Sequence, residues 1–214
     1  MAKILSVTVK SATVRLFDPL TRALLRVGVT ANVVTVIGTL GVGVGAIGFA
    51  TRGHLVAAVV IVTLSALTDV IDGAMARAQR KTGKFGALLD STMDRVADGM
   101  VFASLAYLYR DETPTLVAVL ICLVAGQVVS YVKARAEGLG LDANVGLVER
   151  AERLISIGVG GLLTAAGVGW GLPAALWLLA AGSIFTIGQR MVQAARSDRR
   201  QVAEQQAAGQ QEAA

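Results

Sequence analysis

Four aspartates interrupt two strongly apolar segments near the middle of the chain. Asp69 and Asp72 are three residues apart, and Asp90 and Asp94 are four apart, so each pair shares one face of a helix. Ionisable residues inside an apolar, membrane-compatible helix are costly and usually functional. If the two helices are antiparallel neighbours joined by a short loop, both pairs would meet in one pocket.

Four carboxylates in one pocket would repel each other strongly unless cations were bound. Hard oxygen ligands favour Mg²⁺ or Mn²⁺ over zinc or copper. The one histidine, His54, falls in a predicted outer loop and argues against an imidazole-based metal site. The pattern therefore predicts a divalent metal site made of carboxylates.

The residues between the two pairs suit a nucleotide ligand. Glycine inside a helix costs about 1 kcal/mol relative to alanine, so Gly73 indicates a close approach by a ligand or a backbone. Ala76 keeps the same face small, and Arg77 carries a planar, permanent charge suited to phosphate. Gly86 lies one helical turn before Asp90. Small residues also line the interfaces of membrane helices, but that alternative leaves the aspartates unexplained.

The composition places these segments in a membrane. Of the 214 residues, 54% are hydrophobic and 16% charged, against roughly 45–50% and 25% in soluble domains. A spanning helix needs about 20 mostly apolar residues. We therefore expect an all-α integral membrane protein, with one membrane domain over residues 1–200 and a polar, frayed tail over 201–214. Its six predicted transmembrane helices run roughly over 33–50, 55–76, 87–108, 114–135, 154–170 and 172–190.

Residues 7–28 predict an amphipathic helix that lies on the membrane before the first span. Its apolar stripe is opposed by Arg15, Arg22 and Arg26, which suits an interfacial helix on anionic lipid. A short helix packed on the protein is the alternative. The stripe consists of Leu16, Phe17, Leu20, Leu24 and Val27.

The distribution of basic residues predicts the orientation. With six spans, most of the 20 lysines and arginines fall on the side of the two termini and of the loops after the second and fourth spans. The exceptions are Arg52 and Arg110, with Arg95 near a helix start. The positive-inside rule makes the rich side cytoplasmic. The net charge of +5 therefore marks a membrane face and does not indicate nucleic-acid binding. We expect a multi-pass protein of the bacterial cell membrane, with its active site and both termini facing the cytoplasm.

The segment from Asp69 to Asp94 resembles the signature of the CDP-alcohol phosphotransferase family, D-x2-D-G-x2-A-R-x8-G-x3-D-x3-D. Every fixed position of that signature is present at its spacing. The six-span plan with an N-terminal surface helix is also similar to that family. Its members move a phosphatidyl group from CDP-diacylglycerol to an alcohol and release CMP, and they are commonly homodimers.

This resemblance implies residue roles. Asp69, Asp72 and Asp90 would hold two divalent metal ions, Mg²⁺ or Mn²⁺. Asp94 would be the base that deprotonates the acceptor hydroxyl and could also touch a metal. Family members often carry T-P-N-x-x-T before the first span, and here Ala31 replaces the proline. The residues implied to bind the CDP part are Asn32, Thr35, Gly73, Ala76, Arg77, Gly83 and Gly86, with Gly83 standing where a hydroxyl residue is often found.

A second set of basic residues bears on the acceptor alcohol. Bidentate pairing of arginine with phosphate is strong and directional, so a phosphorylated acceptor would explain basic residues near the aspartates. Ordinary positive-inside charge is the alternative for any one of them. Residues 130–137 and 146–154 resemble the actinobacterial phosphatidylinositol-phosphate synthases of the family, although Ala151 replaces a proline. The residues implied to bind the acceptor phosphate are Lys133, Arg135, Arg153 and Arg190, with Arg150 as a weaker candidate.

The resemblance therefore implies transfer of a phosphatidyl group from CDP-diacylglycerol to 1D-myo-inositol 3-phosphate. Transfer to glycerol 3-phosphate is the nearest alternative, because both acceptors carry a phosphate. A cation transporter would instead place its acidic residues near the middle of the membrane on discontinuous helices, often within repeats. A non-catalytic membrane scaffold would not need four aspartates at helix-face spacing.

Overall fold

The computed structural model describes residues 19–78 and 84–212, with the backbone alone for residues 211 and 212. Every regular element in these ranges is helical, as predicted. We number as α1 the helical residues 19–26. The others are α2 (Ala31–Gly43), α3 (Leu55–Ala66), α4 (Thr68–Ala78), α5 (Lys84–Leu108), α6 (Thr113–Gly138), α7 (Arg150–Ala165) and α8 (Gly171–Glu212), and α2 continues through the π-helical Val44–Phe49 and a 3₁₀ turn, Ala50–Arg52.

Four helical stretches of the described chain are long and apolar enough to cross a membrane, as expected of a multi-pass membrane protein. They are Ala31–Arg52, Leu55–Ala78, Thr113–Gly138 and Gly171–Gln210. They cover the predicted spans 33–50, 55–76, 114–135 and 172–190. The other two predicted spans fall on α5, whose first half carries several charges, and on α7, which has only 16 residues. The count of six spans stays a prediction.

The chain divides between Leu108 and Tyr109 into two compact units. In the first unit, α2 packs against α3, α4 and α5. Glycines on one face of α2 make this approach possible, because a Cβ atom on Gly38 would overlap the Thr68 hydroxyl and one on Gly45 would lie 2.9 Å from Val62 Cγ2. The first unit is therefore held by direct helix-to-helix contact along α2.

A single turn residue, Leu67, separates α3 from α4 just before the first aspartate pair. The Leu67 N–H donates to Thr63 O at 3.1 Å, and the Thr68 hydroxyl donates to Ser65 O at 2.6 Å. These bonds fix the start of α4 and place Asp69 in its first turn.

Part of the predicted interfacial helix packs on the protein. The α1 residues Leu24 and Leu25 lie against a buried cluster of Val34, Ile71 and Met75, which joins α2 to α4. Residues 7–18 of that predicted helix lie outside the described residues, so its position on a membrane stays a prediction.

In the second unit, α8 packs against both α6 and α7. Leu172 and Leu176 of α8 are fully buried, as is Cys122 of α6, whose thiol donates to Leu176 O at 3.2 Å. The expectation of a frayed tail is wrong for the described residues, because α8 continues to Glu212. Alanine, glutamine and glutamate are good helix formers, and they extend the helix without help from an apolar face.

Candidate active site

The signature residue Asp72 is buried in the first unit with a hydroxyl donor from another helix. Thr35 Oγ1 donates to Asp72 Oδ2 at 2.6 Å, and both residues are more than nine-tenths buried. The same hydroxyl lies 3.1 Å from Ala31 O. Hydrogen bonds to a carboxylate are short and strong, so Thr35 fixes the orientation of this carboxylate. The resemblance assigned Thr35 to the CDP part and Asp72 to a metal ion, and the structure places the two side chains in direct contact.

Three of the four aspartates lie in one part of the first unit. The charges of Asp69 and Asp90 lie close enough to that of Asp72 to repel it. Asp69 is half-buried at the start of α4, and Asp90 is exposed on α5. Such a set of hard oxygen donors fits a divalent cation, which would remove the repulsion. Within the described ranges, however, no three acidic, thiol or imidazole groups already converge on one metal position. Binding would therefore need side-chain rotation, which the exposure of Asp90 allows.

Asp94 lies one turn after Asp90 on α5 and is partly exposed. Arg95 Nη2 is 3.7 Å from Asp94 Oδ2 and 3.5 Å from Asp98 Oδ2. Asp98 is buried, so Arg95 joins a buried carboxylate to a more accessible one. We did not assign Arg95 and Asp98 to the site from the sequence, although their spacing of three residues on one helix was a usable signal.

Two of the predicted CDP contacts are placed together by the fold. Asn32 Oδ1 lies 3.4 Å from the position that a Cβ atom would occupy on Gly86, so α2 and α5 approach closely there. The Arg77 guanidinium lies at the same distance from the corresponding position on Gly73. Ala76 lies between Gly73 and Arg77 in α4 and is half-buried. Gly83 lies outside the described residues.

The basic residues predicted for the acceptor belong to the second unit, where two of the four are buried against α6. Arg153 Nη1 donates to Gly126 O at 3.3 Å. Both Arg153 and Arg190 are 2% exposed, whereas Lys133 is half-buried and Arg135 is exposed. The structure thus brings Arg153 and Arg190 to the same helix, while Lys133 and Arg135 lie at its carboxyl end.

Arg190 makes three bonds with the protein itself. It donates to Val129 O at 2.6 Å, to Val145 O at 2.7 Å and to Glu149 Oε1 at 2.7 Å. A guanidinium has five N–H donors, so these bonds do not exhaust it. The sequence did not indicate that Glu149 is a partner of Arg190. Two glutamates three residues apart signal a helix start only weakly.

A family comparison agrees with the signature. Residues 28–188 match the model of the CDP-alcohol phosphatidyltransferase family. The chain belongs to this family. The resemblance drawn from Asp69 to Asp94 is thereby confirmed.

Similar curated proteins come from the actinobacterial branch. The chain is 47% identical over 181 residues to the phosphatidylinositol phosphate synthase of Mycobacteroides abscessus, covering 83% of this chain and 82% of that protein. It is 46% identical over 185 residues to the synthase of Corynebacterium glutamicum, covering 84% of each.

Solved structures of the Mycobacterium tuberculosis phosphatidylinositol phosphate synthase are also similar. The form with CDP-DAG bound has a TM-score of 0.80 at 41% identity, covering 84% of this chain and 94% of that one. The form in complex with manganese and citrate has a TM-score of 0.79 and covers 82% of this chain and 87% of that one. The likeness to the actinobacterial synthases therefore extends over most of the chain in both sequence and fold.

Proposed function

We propose that this protein is a phosphatidylinositol phosphate synthase. It transfers the phosphatidyl group of CDP-diacylglycerol to 1D-myo-inositol 3-phosphate and releases CMP. The observation that carries the proposal is 47% identity over 83% of the chain to a synthase of that name. The complete aspartate signature supports the same reaction class. Transfer to glycerol 3-phosphate is the alternative, since that acceptor also carries a phosphate.

The reaction is an in-line displacement at the phosphorus that carries the diacylglycerol. The acceptor hydroxyl oxygen forms a bond to that phosphorus as the bond to the CMP oxygen breaks, and Asp94 takes the hydroxyl proton. Asp94 works chiefly through position within hydrogen-bond reach of the acceptor. Thr35 keeps the Asp72 carboxylate oriented throughout.

The aspartates would hold two divalent cations, Mg²⁺ or Mn²⁺, with Asp69, Asp72 and Asp90 as the ligands and Asp94 as a further one. When bound, such ions neutralise charge on the entering and leaving oxygens. The manganese complex of the Mycobacterium tuberculosis synthase supports the use of a divalent ion. The CDP part of the substrate would lie against Asn32, Thr35, Gly73, Ala76, Arg77, Gly83 and Gly86.

The acceptor phosphate would be bound by Lys133, Arg135, Arg153 and Arg190. The positions of Arg153 and Arg190 support this role most, because both guanidinium groups are held against α6 by bonds to its backbone carbonyls. Arg190 would keep its bonds to the protein and use its remaining donors.

We further propose six membrane crossings in one domain over residues 1–200, with α5 and α7 as the crossings beyond the four apolar stretches. Residues 7–28 would lie along the membrane surface, and both termini would face the cytoplasm. The basic residues concentrated on that side support the orientation. The protein would act as a homodimer, as members of its family commonly do.

The acceptor is tested by CMP release from purified protein in liposomes with CDP-diacylglycerol and Mg²⁺. We expect turnover with inositol 3-phosphate and none with inositol, serine or glycerol 3-phosphate, and we expect EDTA to abolish it. Turnover with glycerol 3-phosphate alone would keep the reaction class and overturn the proposed acceptor.

The role of Asp94 is tested by Asp94→Asn, which keeps the size of the side chain and removes its basicity. We expect CMP release to fall by at least about a hundredfold, in the range of general-base contributions, with folding and CDP-diacylglycerol binding intact. Asp111→Asn is the matched control, because Asp111 is exposed near the end of α5 and pairs with Arg110. Unchanged turnover in Asp94→Asn would remove the base assignment.

A further inference from the structure

The segment between α6 and α7, residues 139–149, lacks regular structure and lies along α8. Near α7, its backbone is bound by α8 side chains. The Val148 N–H donates to Thr186 Oγ1 at 3.0 Å, and the Leu147 N–H donates to Gln189 Oε1 at 3.2 Å.

The other end of the segment is bound in the same way, further along α8. Gln193 Nε2 donates to Asp142 Oδ2 at 3.0 Å, and the Asp142 N–H donates to Ser197 Oγ at 3.1 Å. Gln201 Nε2 donates to Gly140 O at 2.8 Å. Donation from the backbone N–H of Asn144 and from Gln193 holds the pKa of the Asp142 carboxyl below its usual value.

Apart from the adjacent pair Gln189 and Arg190, the α8 residues that bind the segment recur every three or four positions, so they lie on one helix face. We call them the α8 stripe: Thr186, Gln189, Arg190, Gln193, Ser197 and Gln201. Their partners occur in the reverse order, from Val148 back to Gly140, so the segment runs antiparallel to α8. Close approach is built in, because a Cβ atom on Gly146 would lie 2.8 Å from Thr186 Cγ2.

The α8 stripe also reaches the start of α7. Arg190 binds Glu149 Oε1 at 2.7 Å. Glu149 is the N-cap of α7, and its side chain and that of Glu152 satisfy each other's backbone N–H groups in a capping box. Arg153 follows in the next position of this turn and is held against Gly126. A chain of bonds thus runs from α8 through Glu149 to the first turn of α7.

We propose that the α8 stripe is a positioning element for the acceptor site: by binding segment 139–149 it fixes the first turn of α7 and, with it, Arg153. This inference rests on the proposed function, in which Arg153 binds the acceptor phosphate. Gln193 and Ser197 touch no substrate in this account. They nevertheless set the affinity for the phosphorylated acceptor, because an arginine must be held in place to pair with phosphate.

The test is the double variant Gln193→Ala/Ser197→Ala, with Gln206→Ala as the matched control on another face of α8. Hydrogen exchange of peptides covering residues 139–149, measured by mass spectrometry without substrate, reports whether the segment is bound. We expect faster exchange in the double variant only. The apparent KM for inositol 3-phosphate should rise about fivefold, the equivalent of one lost hydrogen bond, while kcat and the KM for CDP-diacylglycerol stay unchanged.

A second pair of variants examines the link to α7. Glu149→Ala removes both the bond to Arg190 and the N-cap acceptor, whereas Glu149→Gln keeps an oxygen acceptor. We expect the same rise in acceptor KM in Glu149→Ala and its partial rescue in Glu149→Gln.

The outcomes separate this inference from the proposed function. Unchanged exchange in the double variant would overturn the binding of the segment by the stripe. Faster exchange with an unchanged acceptor KM, or with equal losses in kcat and both KM values, would overturn the positioning role. If the wild type uses another phosphorylated acceptor, the inositol assignment fails, but the same selective rise in KM for that acceptor supports the inference.

Discussion

Asp72 is an aspartate whose orientation depends on a neighbour more than 30 positions away in the chain. The Thr35 hydroxyl is its buried donor, and Thr35 lies in a different helix. Groups that orient a metal ligand from behind are often worth 10- to 100-fold in metal affinity or activity. The Thr35–Asp72 bond is therefore the contact in the first unit on which the proposed chemistry depends most directly.

Thr35→Val tests this bond, because valine has nearly the same shape and no hydroxyl. We expect activity to fall about tenfold or more and the Mg²⁺ concentration for half-maximal rate to rise, since the carboxylate loses its donor. The measurement is CMP release across a Mg²⁺ titration.

The control for that variant is Thr39→Val, one turn further along α2. The Thr39 hydroxyl donates to Thr35 O, at 3.0 Å, and therefore bonds to its own helix. We expect this change to leave the Mg²⁺ dependence alone, and Thr35→Ser to retain most of the activity. If Thr35→Val and Thr39→Val have the same activity and the same Mg²⁺ dependence, the Thr35 hydroxyl is not needed.

The glycine face of α2 decides whether Thr35 can reach Asp72 at all. A Cβ atom on Gly38 would meet Thr68 Oγ1, and would lie 3.2 Å from the backbone oxygen of Ser65. A backbone oxygen cannot rotate away, so α2 would have to move away from the end of α3 and the start of α4. That separation would act one turn from the Thr35–Asp72 bond.

Gly38→Ala should therefore destabilise the protein by about 1–3 kcal/mol, as overpacking does, and lower CMP release. Gly48→Ala is the matched control, because its Cβ atom would lie at an uncrowded distance of 4.0 Å from Val44 Cγ1. Thermal unfolding in detergent measures the stability of both variants, and CMP release measures their activity. A Gly38→Ala protein with the melting temperature and activity of the wild type would contradict the tight packing of α2 on α4.

The whole chain is a multi-pass membrane protein, and its topology depends on α5 and α7. With the cytoplasmic termini proposed above, the turn containing Asp111 faces outward and segment 139–149 faces the cytoplasm if both helices cross the membrane. If neither crosses, these two sites exchange sides, whereas His54 stays outside and Gln206 stays inside.

Single cysteines in a Cys122→Ser background distinguish the two topologies in intact cells treated with a membrane-impermeant thiol reagent. We expect labelling of Asp111→Cys but not of Asn144→Cys until the cells are permeabilised. His54→Cys and Gln206→Cys are the outer and inner controls. The reverse pattern at residues 111 and 144 would leave only the four apolar stretches as crossings.

Local patterns in the sequence determine most of the helices and the family of this protein. Runs of apolar residues predict helices of spanning length, and a spacing of three or four places two aspartates on one helix face, because helical geometry relates near neighbours in the chain. The eight fixed positions from Asp69 to Asp94 sufficed to indicate the family for the same reason, since they lie within two adjacent helices.

Contacts between distant segments were decided only by the tertiary structure. No local pattern pairs Arg190 with Glu149 or assigns the Asp142 carboxylate to Gln193. These bonds join residues 41 and 51 positions apart, and they exist because α8 packs beside α6 and α7. Sequence spacing fixes which residues share a helix face, whereas packing of the helices fixes what that face meets.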